Sequence, residues 1–243
     1  MIILAGDTSS SQGSVALRSP DGAIYKEDLD SSRPHSETLL PAVEEILSAA
    51  GINKGSIEAI AVGTGPGSFT GLRVGLATFQ GWAAALNLPL VPVISMDAVA
   101  WPLVKKGLAA IVLADARKGE VYAAYYPSAN RDVLPVRSGE IILISRAEVP
   151  EWINSLDDPD ARIVGTAVPE FLKAGYHFPG NENHNSSGVP DAEYVLALAE
   201  KLYELGRIVA PGDLVPTYVR TPDARKPAPG TIITASAPNR GDQ

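Results

Sequence analysis

The apolar positions change period several times along the chain, and each change marks an element. Ile2 to Asp7 is a short apolar run, and GSVALRS (13–19) and AIYKEDL (23–29) are strand-like, with TSSSQG and PDG between them as turns. Three such closely spaced strands predict an antiparallel meander. From 35 to 51, Leu39, Leu40, Val43, Ile46, Leu47 and Ala50 recur at helical spacing, and Gly51 is a natural stop. Pro41 has to lie near the first turn of that helix, which moves the expected cap to Thr38 rather than Ser36. IEAIAVGTG (57–65) is almost continuously apolar, as a buried parallel strand requires. A helix over about 68–86 and a strand over 88–94 follow, so the first hundred residues read β-β-β-α-β-α-β.

The pattern then starts again. AAIVLADA (109–116) and GEVYAAYY (119–126) predict a second antiparallel pair. EIILIS (140–145), a helix near 147–155, RIVGTA (162–167) and a helix near 168–175 come next. PGNENHNSSGVP (179–190) is a polar loop, and 191–206 is a helix with Asp191 as its cap and Gly206 as its stop. Antiparallel strands followed by alternating helix and strand therefore occur twice, which predicts two related α/β lobes. The expected division is 1–103 for the first lobe and 104–225 for the second, with the helix near 191–206 a candidate to pack back onto the first. Residues 226–243 are rich in proline, glycine and small residues and are expected to be disordered.

Composition narrows the chemistry. The 243 residues are 45% hydrophobic and 20% charged, with a formal net charge of −8. An acidic chain without a Lys/Arg cluster is poorly suited to gripping nucleic acid by itself. The absence of cysteine excludes disulfides, thiolate nucleophiles and cysteine zinc sites. The opening run lacks a basic region and reaches Asp7 too early for a signal peptide, and no apolar stretch is long enough to span a bilayer. A cytoplasmic protein is expected.

The densest motif is VGTGPGSFTGLRVG (62–75). It has neither the lysine nor the glycine spacing of a nucleoside-triphosphate loop, and Gly65-Pro-Gly67-Ser-Phe-Thr70 fails the dinucleotide fingerprint at its last position. Ser68 is a natural helix cap. In the helix that follows, Gly71, Gly75, Ala77, Thr78, Gly81, Ala84 and Ala85 are all small. Each interior glycine costs about 1 kcal/mol relative to alanine, so something must approach this helix closely. Spacing alone leaves two readings open: packing within the same domain, or docking onto a partner's helix.

GTGPGSFTGLRVG (63–75) resembles the signature of the bacterial TsaB family. ILAGDTSS (3–10), PHSETLLPAVEEIL (34–47), DARKGEVYAAYY (115–126) and PTYVR (216–220) agree with it in order. The resemblance implies an actin/hsp70/sugar-kinase-type α/β fold with two ribonuclease-H-like lobes. It implies a non-catalytic dimerization subunit for tRNA threonylcarbamoyladenosine formation. The expected partners are a catalytic, metal-binding TsaD-like subunit and a small TsaE-like ATPase, with tRNA reached only through the complex. Self-association of the chain in isolation is open through the same helices. The interface expected by position comprises His35, Leu39, Val43, Ser68, Gly71, Arg73, Gly75 and Thr78. No cofactor of its own is expected; ATP or ADP, if bound, belongs at the subunit interface.

Two rival readings are an ATP-dependent phosphotransferase of the same fold and an inactive glycoprotease-like homologue. Asp7 and Thr8 sit where the first phosphate hairpin of the fold belongs, and Asp115 where the second does. The second hairpin continues Ala116-Arg117-Lys118 before any glycine, and VGTAVPE has only Gly165 where a glycine-rich adenosine loop is needed. His35 has Leu39, not a second histidine, four residues on, and His177 and His184 fall in or beside the polar loop, so no metal site is expected. Ser68 lacks the surroundings of a hydrolase nucleophile. Asp115, Arg117 and Glu120 are expected to form a solvated turn with a surface ion pair.

Overall fold

The computed structural model describes residues 1–128, 134–176, 178 and 188–219. The expected tail, most of the polar loop, His177 and His184 lie outside these residues. The first lobe contains β1 (Ile3–Asp7), β2 (Ser14–Arg18), β3 (Ile24–Asp28), α1 (His35–Ala50), β4 (Ala59–Gly63), α2 (Phe69–Leu86) and β5 (Leu90–Val93). Its strands form one sheet in the order β3-β2-β1-β4-β5, with β2 antiparallel to both neighbours and β1, β4 and β5 parallel. A helix, α3 (Ser95–Val104), leads to the second lobe: β6 (Ala110–Asp115), β7 (Glu120–Tyr126), β8 (Ile142–Ser145), α4 (Val149–Ser155), β9 (Arg162–Val164) and α5 (Val168–Lys173). That sheet runs β8-β7-β6-β9, with β6–β7 and β7–β8 antiparallel and β6–β9 parallel. The second sheet repeats the plan of the first without its last strand. The chain thus has the two ribonuclease-H-like lobes of an actin/hsp70/sugar-kinase-type protein.

The period-2 alternation of the strands sorts the core into layers. On one face of the first sheet Leu4, Val15, Leu17, Ile60, Val62 and Leu90 meet Leu39, Val43, Ile46 and Leu47 of α1 and Leu72, Leu76 and Phe79 of α2. The opposite face carries Ile3, Ala5, Ala16, Ala59, Ala61 and Val91, and small side chains there let α6 (Ala192–Glu204) lie close with Val195, Leu196 and Leu198. Asp191 caps α6 by accepting from Glu193 N at 2.9 Å and also takes Lys26 Nζ of β3 at 2.6 Å. Arg18 Nε of β2 meets Glu200 Oε1 of α6 at 2.5 Å. The helix is joined to the first sheet at both ends.

Two sequence expectations change here. The spacing argument misses α3 altogether, because SMDAVAWPLV is apolar on nearly every side and has no amphipathic period to detect. It is buried all round: Ala98 and Trp101 enter the first-lobe core, whereas Met96, Val99, Ala100, Leu103 and Val104 enter the second. The start of α1 also differs. Pro34, not Thr38, is the capping position, no side chain caps the helix, and Pro41 sits inside it.

Asp97 at the start of α3 fastens the lobes with a polar cluster. Tyr126 Oη of β7 donates to Asp97 Oδ1 at 2.8 Å, and Arg137 Nη1 donates to the same oxygen at 2.6 Å. Burial pushes the Asp97 carboxyl up, while the Arg137 charge and the Tyr126 bond pull it back. Tyr126→Phe leaves the half-buried Asp97 and Arg137 with one bond fewer. Urea unfolding is expected to show a loss of about 1–3 kcal/mol; an unchanged midpoint would mean that the cluster does not hold the lobes.

Candidate functional site

The turn after β1 is built around a buried carboxylate. Asp7 Oδ1 accepts from Ser9 N at 2.7 Å and Ser9 Oγ at 2.6 Å, and Oδ2 accepts from Ser95 Oγ of α3 at 2.6 Å. Ser95 Oγ in turn accepts from Gly65 N at 2.9 Å. A side chain on Gly63 would overlap this carboxylate, its Cβ falling 1.8 Å from Asp7 Oδ2. Asp7 therefore joins β1, α3 and the glycine-rich turn from behind the wall of the site and does not line it.

The same turn keys into α2. Ser68 N donates to Ser9 O at 2.6 Å, Ser68 Oγ caps the helix by accepting from Gly71 N at 3.2 Å, and Thr8 Oγ1 donates to Gly71 O at 2.8 Å. A Cβ on Gly67 would sit 2.1 Å from Ser9 O, one on Gly71 2.1 Å from Thr8 O, and one on Gly75 2.2 Å from Thr8 Oγ1. Three glycines four residues apart thus form a groove that the Thr8–Ser9 backbone and the Thr8 side chain fill. The within-domain reading of the small-residue helix is correct for this face.

The expected interface set divides accordingly. Gly71 and Gly75 face their own lobe, and Leu39 and Val43 belong to its apolar core, so these four lie in the interior of the chain. His35 is half-buried, with Nε2 2.9 Å from Ser10 O. Ser68 serves as the cap. Thr78 is half-buried and Arg73 exposed, with its guanidinium 3.9 Å from the Phe69 ring centroid. The outward face of α2 carries other residues, which the motif did not single out as a set: exposed Thr70, Ala77, Gly81 and Ala84, with Val74 half-buried among them against the edge of the core. They are spaced alternately four and three apart, and no atom lies within 4 Å of a Cβ built on Gly81.

Between the lobes lies a cleft of about 860 Å³. Ser9, Ser10 and the start of α2 line it on one side, Met96 and Val99 of α3 at the back, and Val112, Ala114 and Asp115 of β6 on the other side. Thr217 and Tyr218 also border it, on a segment held by Gln80 Nε2 donating to Pro211 O and Leu214 O and by Thr217 N donating to Thr64 O at 2.8 Å. Sequence spacing gives no hint of this segment's place. Asp115 Oδ1 accepts from Arg117 N at 3.0 Å and from Arg146 Nη2 at 2.9 Å, and Arg146 also pairs with Glu170. Of the weak nucleotide candidates, then, Asp115 lines the cleft already paired, while Asp7 and Thr8 are buried beneath it. Among the described residues no group of three or more His, Asp or Glu side chains could hold a metal ion, and no helix is long and apolar enough to cross a membrane.

Two substitutions on α2 are expected to act with opposite sign. Gly71→Ala drives a methyl into the Thr8 carbonyl and should cost about 2–3 kcal/mol in chemical denaturation. Gly81→Ala meets open space and should gain about 0.5–1 kcal/mol. Equal effects would contradict the groove. Burial also raises the Asp7 carboxyl above its ordinary 3.8, outweighing the Ser9 and Ser95 bonds that lower it. A raised folded value means that the folded state holds the proton longer. Asp7 thus costs stability progressively as pH rises from about 4 through that raised value. Asp7→Asn removes this dependence, so its stability relative to the parent should improve from pH 4 to pH 7; a constant difference would refute the assignment.

Known proteins place these features in a family. A model described as TsaD, tRNA N6-adenosine threonylcarbamoyltransferase, matches residues 29–146. The tRNA threonylcarbamoyladenosine biosynthesis protein TsaB of Haemophilus influenzae is 32% identical over 241 residues, covering 95% of this chain and 98% of its own. Its Escherichia coli counterpart is 34% identical over 232 residues, covering 95% and 99%. Among solved structures, YeaZ from Pseudomonas aeruginosa superposes with a TM-score of 0.76 at 29% identity, covering 89% of this chain and 99% of that one. With the glycine groove, the two lobes and full-length relatives agreeing, the chain belongs to the TsaB family of tRNA threonylcarbamoyladenosine biosynthesis proteins.

Proposed function

We propose that this chain serves tRNA threonylcarbamoyladenosine biosynthesis as a non-catalytic docking subunit, presenting the outer face of α2 to a TsaD-like transferase. The observation that carries this reading is the strip of exposed Thr70, Ala77, Gly81 and Ala84, with half-buried Val74 between them, on a helix whose inner face is already filled. Alternating four-and-three spacing of small side chains is what two helices need to pack closely at a shallow angle. The likeness of residues 29–146 to the TsaD model supports a partner built on equivalent helices. Two related subunits can then set those helices against each other about a pseudo-two-fold axis. Exposed Leu40 on neighbouring α1 adds an apolar contact to the same face of the lobe. The engaged states of Asp7 and Asp115 favour support over phosphoryl transfer. A TsaE-like ATPase completes the complex, and tRNA is reached through it, in keeping with a net charge of −8.

Ala77→Arg combined with Ala84→Arg places two long cations on the strip without touching the core. Co-purification with the TsaD-like subunit should fall at least about tenfold, a loss of about 1.4 kcal/mol, with unfolding of the isolated chain unchanged. Ala49→Arg on exposed α1 should have no such effect. Undiminished binding by the double variant would overturn the docking face, and nucleotide turnover by the isolated parent chain would favour the phosphotransferase reading.

A further inference from the structure

The interlobe cleft is where a protein of this fold would hold a magnesium–nucleoside triphosphate, and its residues do not fit that group. A magnesium ion needs carboxylate oxygens that face the phosphates. Asp7 is 1% exposed and bonded to Ser9 and Ser95, and Asp115 is paired with Arg146 and Arg117. Several of the hydroxyls that line it are also committed. Ser9 Oγ and Ser95 Oγ donate to Asp7, Ser10 Oγ donates to Gln12 O, and Thr217 Oγ1 lies 3.0 Å from Thr64 Oγ1.

The remaining surfaces define a different ligand. Met96 and Val99 from α3 and Val112 and Ala114 from β6 make an apolar back wall. At the rim stand two guanidiniums, Arg73 from the first lobe and Arg117 from the second, both exposed, against the single carboxylate of Asp115 among the cleft-lining residues. Arg73 lies over the exposed Phe69 ring, whose centroid is 6.1 Å from that of exposed Tyr218. The cleft is thus locally cationic in an acidic chain, apolar at its back and cationic at its rim. A volume of about 860 Å³ is within the range of small-molecule sites.

We propose that the interlobe cleft binds an amphipathic organic anion without a metal ion, its apolar body against Met96, Val99, Val112 and Ala114 and its single acidic group at Arg73 and Arg117. This inference does not depend on the docking role of α2. The wall excludes water from the apolar body, and each guanidinium offers a carboxylate, sulfonate or phosphate a charge-assisted bond.

The aryl sulfonate 8-anilinonaphthalene-1-sulfonate is the probe, titrated into the full chain and followed by fluorescence. The expected result is one saturable site whose affinity is the same with magnesium or with chelator. Ala114→Phe narrows the cleft and should weaken binding at least about tenfold, with circular dichroism verifying the fold. Arg73→Glu with Arg117→Glu reverses both rim charges, removing also the Arg117–Asp115 ion pair and the Arg73–Phe69 contact, and should weaken it by a similar factor, whereas Lys54→Glu, a charge reversal on the remote 54–56 turn, should change it less than twofold. Binding that survives both the Ala114 and the arginine variants, or displacement of the dye by ATP only when magnesium is present, overturns the proposal.

Discussion

The Thr8–Ser9 turn, seated in the groove of Gly67, Gly71 and Gly75 by its backbone and the Thr8 hydroxyl, is the contact on which the rest of the first lobe depends. Backbone carbonyls at Gly67 and Gly71 and the Thr8 hydroxyl at Gly75 leave no room for a methyl, which fixes α2 closely against the turn after β1. Asp7 extends the same constraint. Its two oxygens bind Ser9 on one side and Ser95 on the other, and through Ser95 the carboxylate reaches Gly65 and the head of α3. One buried acid and three missing side chains hold together the turn, α2 and the helix that joins the lobes.

A helix with its inner face filled in this way is a rigid element whose outer face is available. Close packing fixes the orientation of Ala77, Gly81 and Ala84 before any partner arrives, which lowers the ordering cost of association. The same turn contributes Ser9 and Ser10 to the cleft wall, so the proposed docking surface and the cleft share a boundary. The interlobe segment through Thr217 and Tyr218 closes that boundary from the other side, anchored by Gln80 of α2 and Thr64.

Much of this was legible in the residues and some of it could not be. The strands, α1 and α2 followed from periodicity, and Ser68 and Asp191 announced themselves as caps because few side chains serve there. The repeated strand-then-helix order revealed two lobes. Helix α3 was invisible because burial on all sides erases the amphipathic signal, and Pro102 near its end argues against a helix locally. The small-residue pattern of α2 showed that something comes close, yet spacing could not say from which side. Only the position of the Thr8–Ser9 turn decides that Gly71 and Gly75 face inward while Gly81 faces outward. The cleft was out of reach for a similar reason: Arg73, Val99, Arg117 and Tyr218 come from four separate segments that only the tertiary fold brings together.

The central claim is that the glycine signature builds a docking helix, and hydrogen–deuterium exchange of the chain alone and with a TsaD-like subunit tests it most directly. The account predicts that the partner slows exchange across residues 69–86 of α2 and leaves the β6–β7 hairpin, residues 110–126, unchanged. Added protection confined to the hairpin, or none on α2 in a mixture that demonstrably forms a complex, would contradict it.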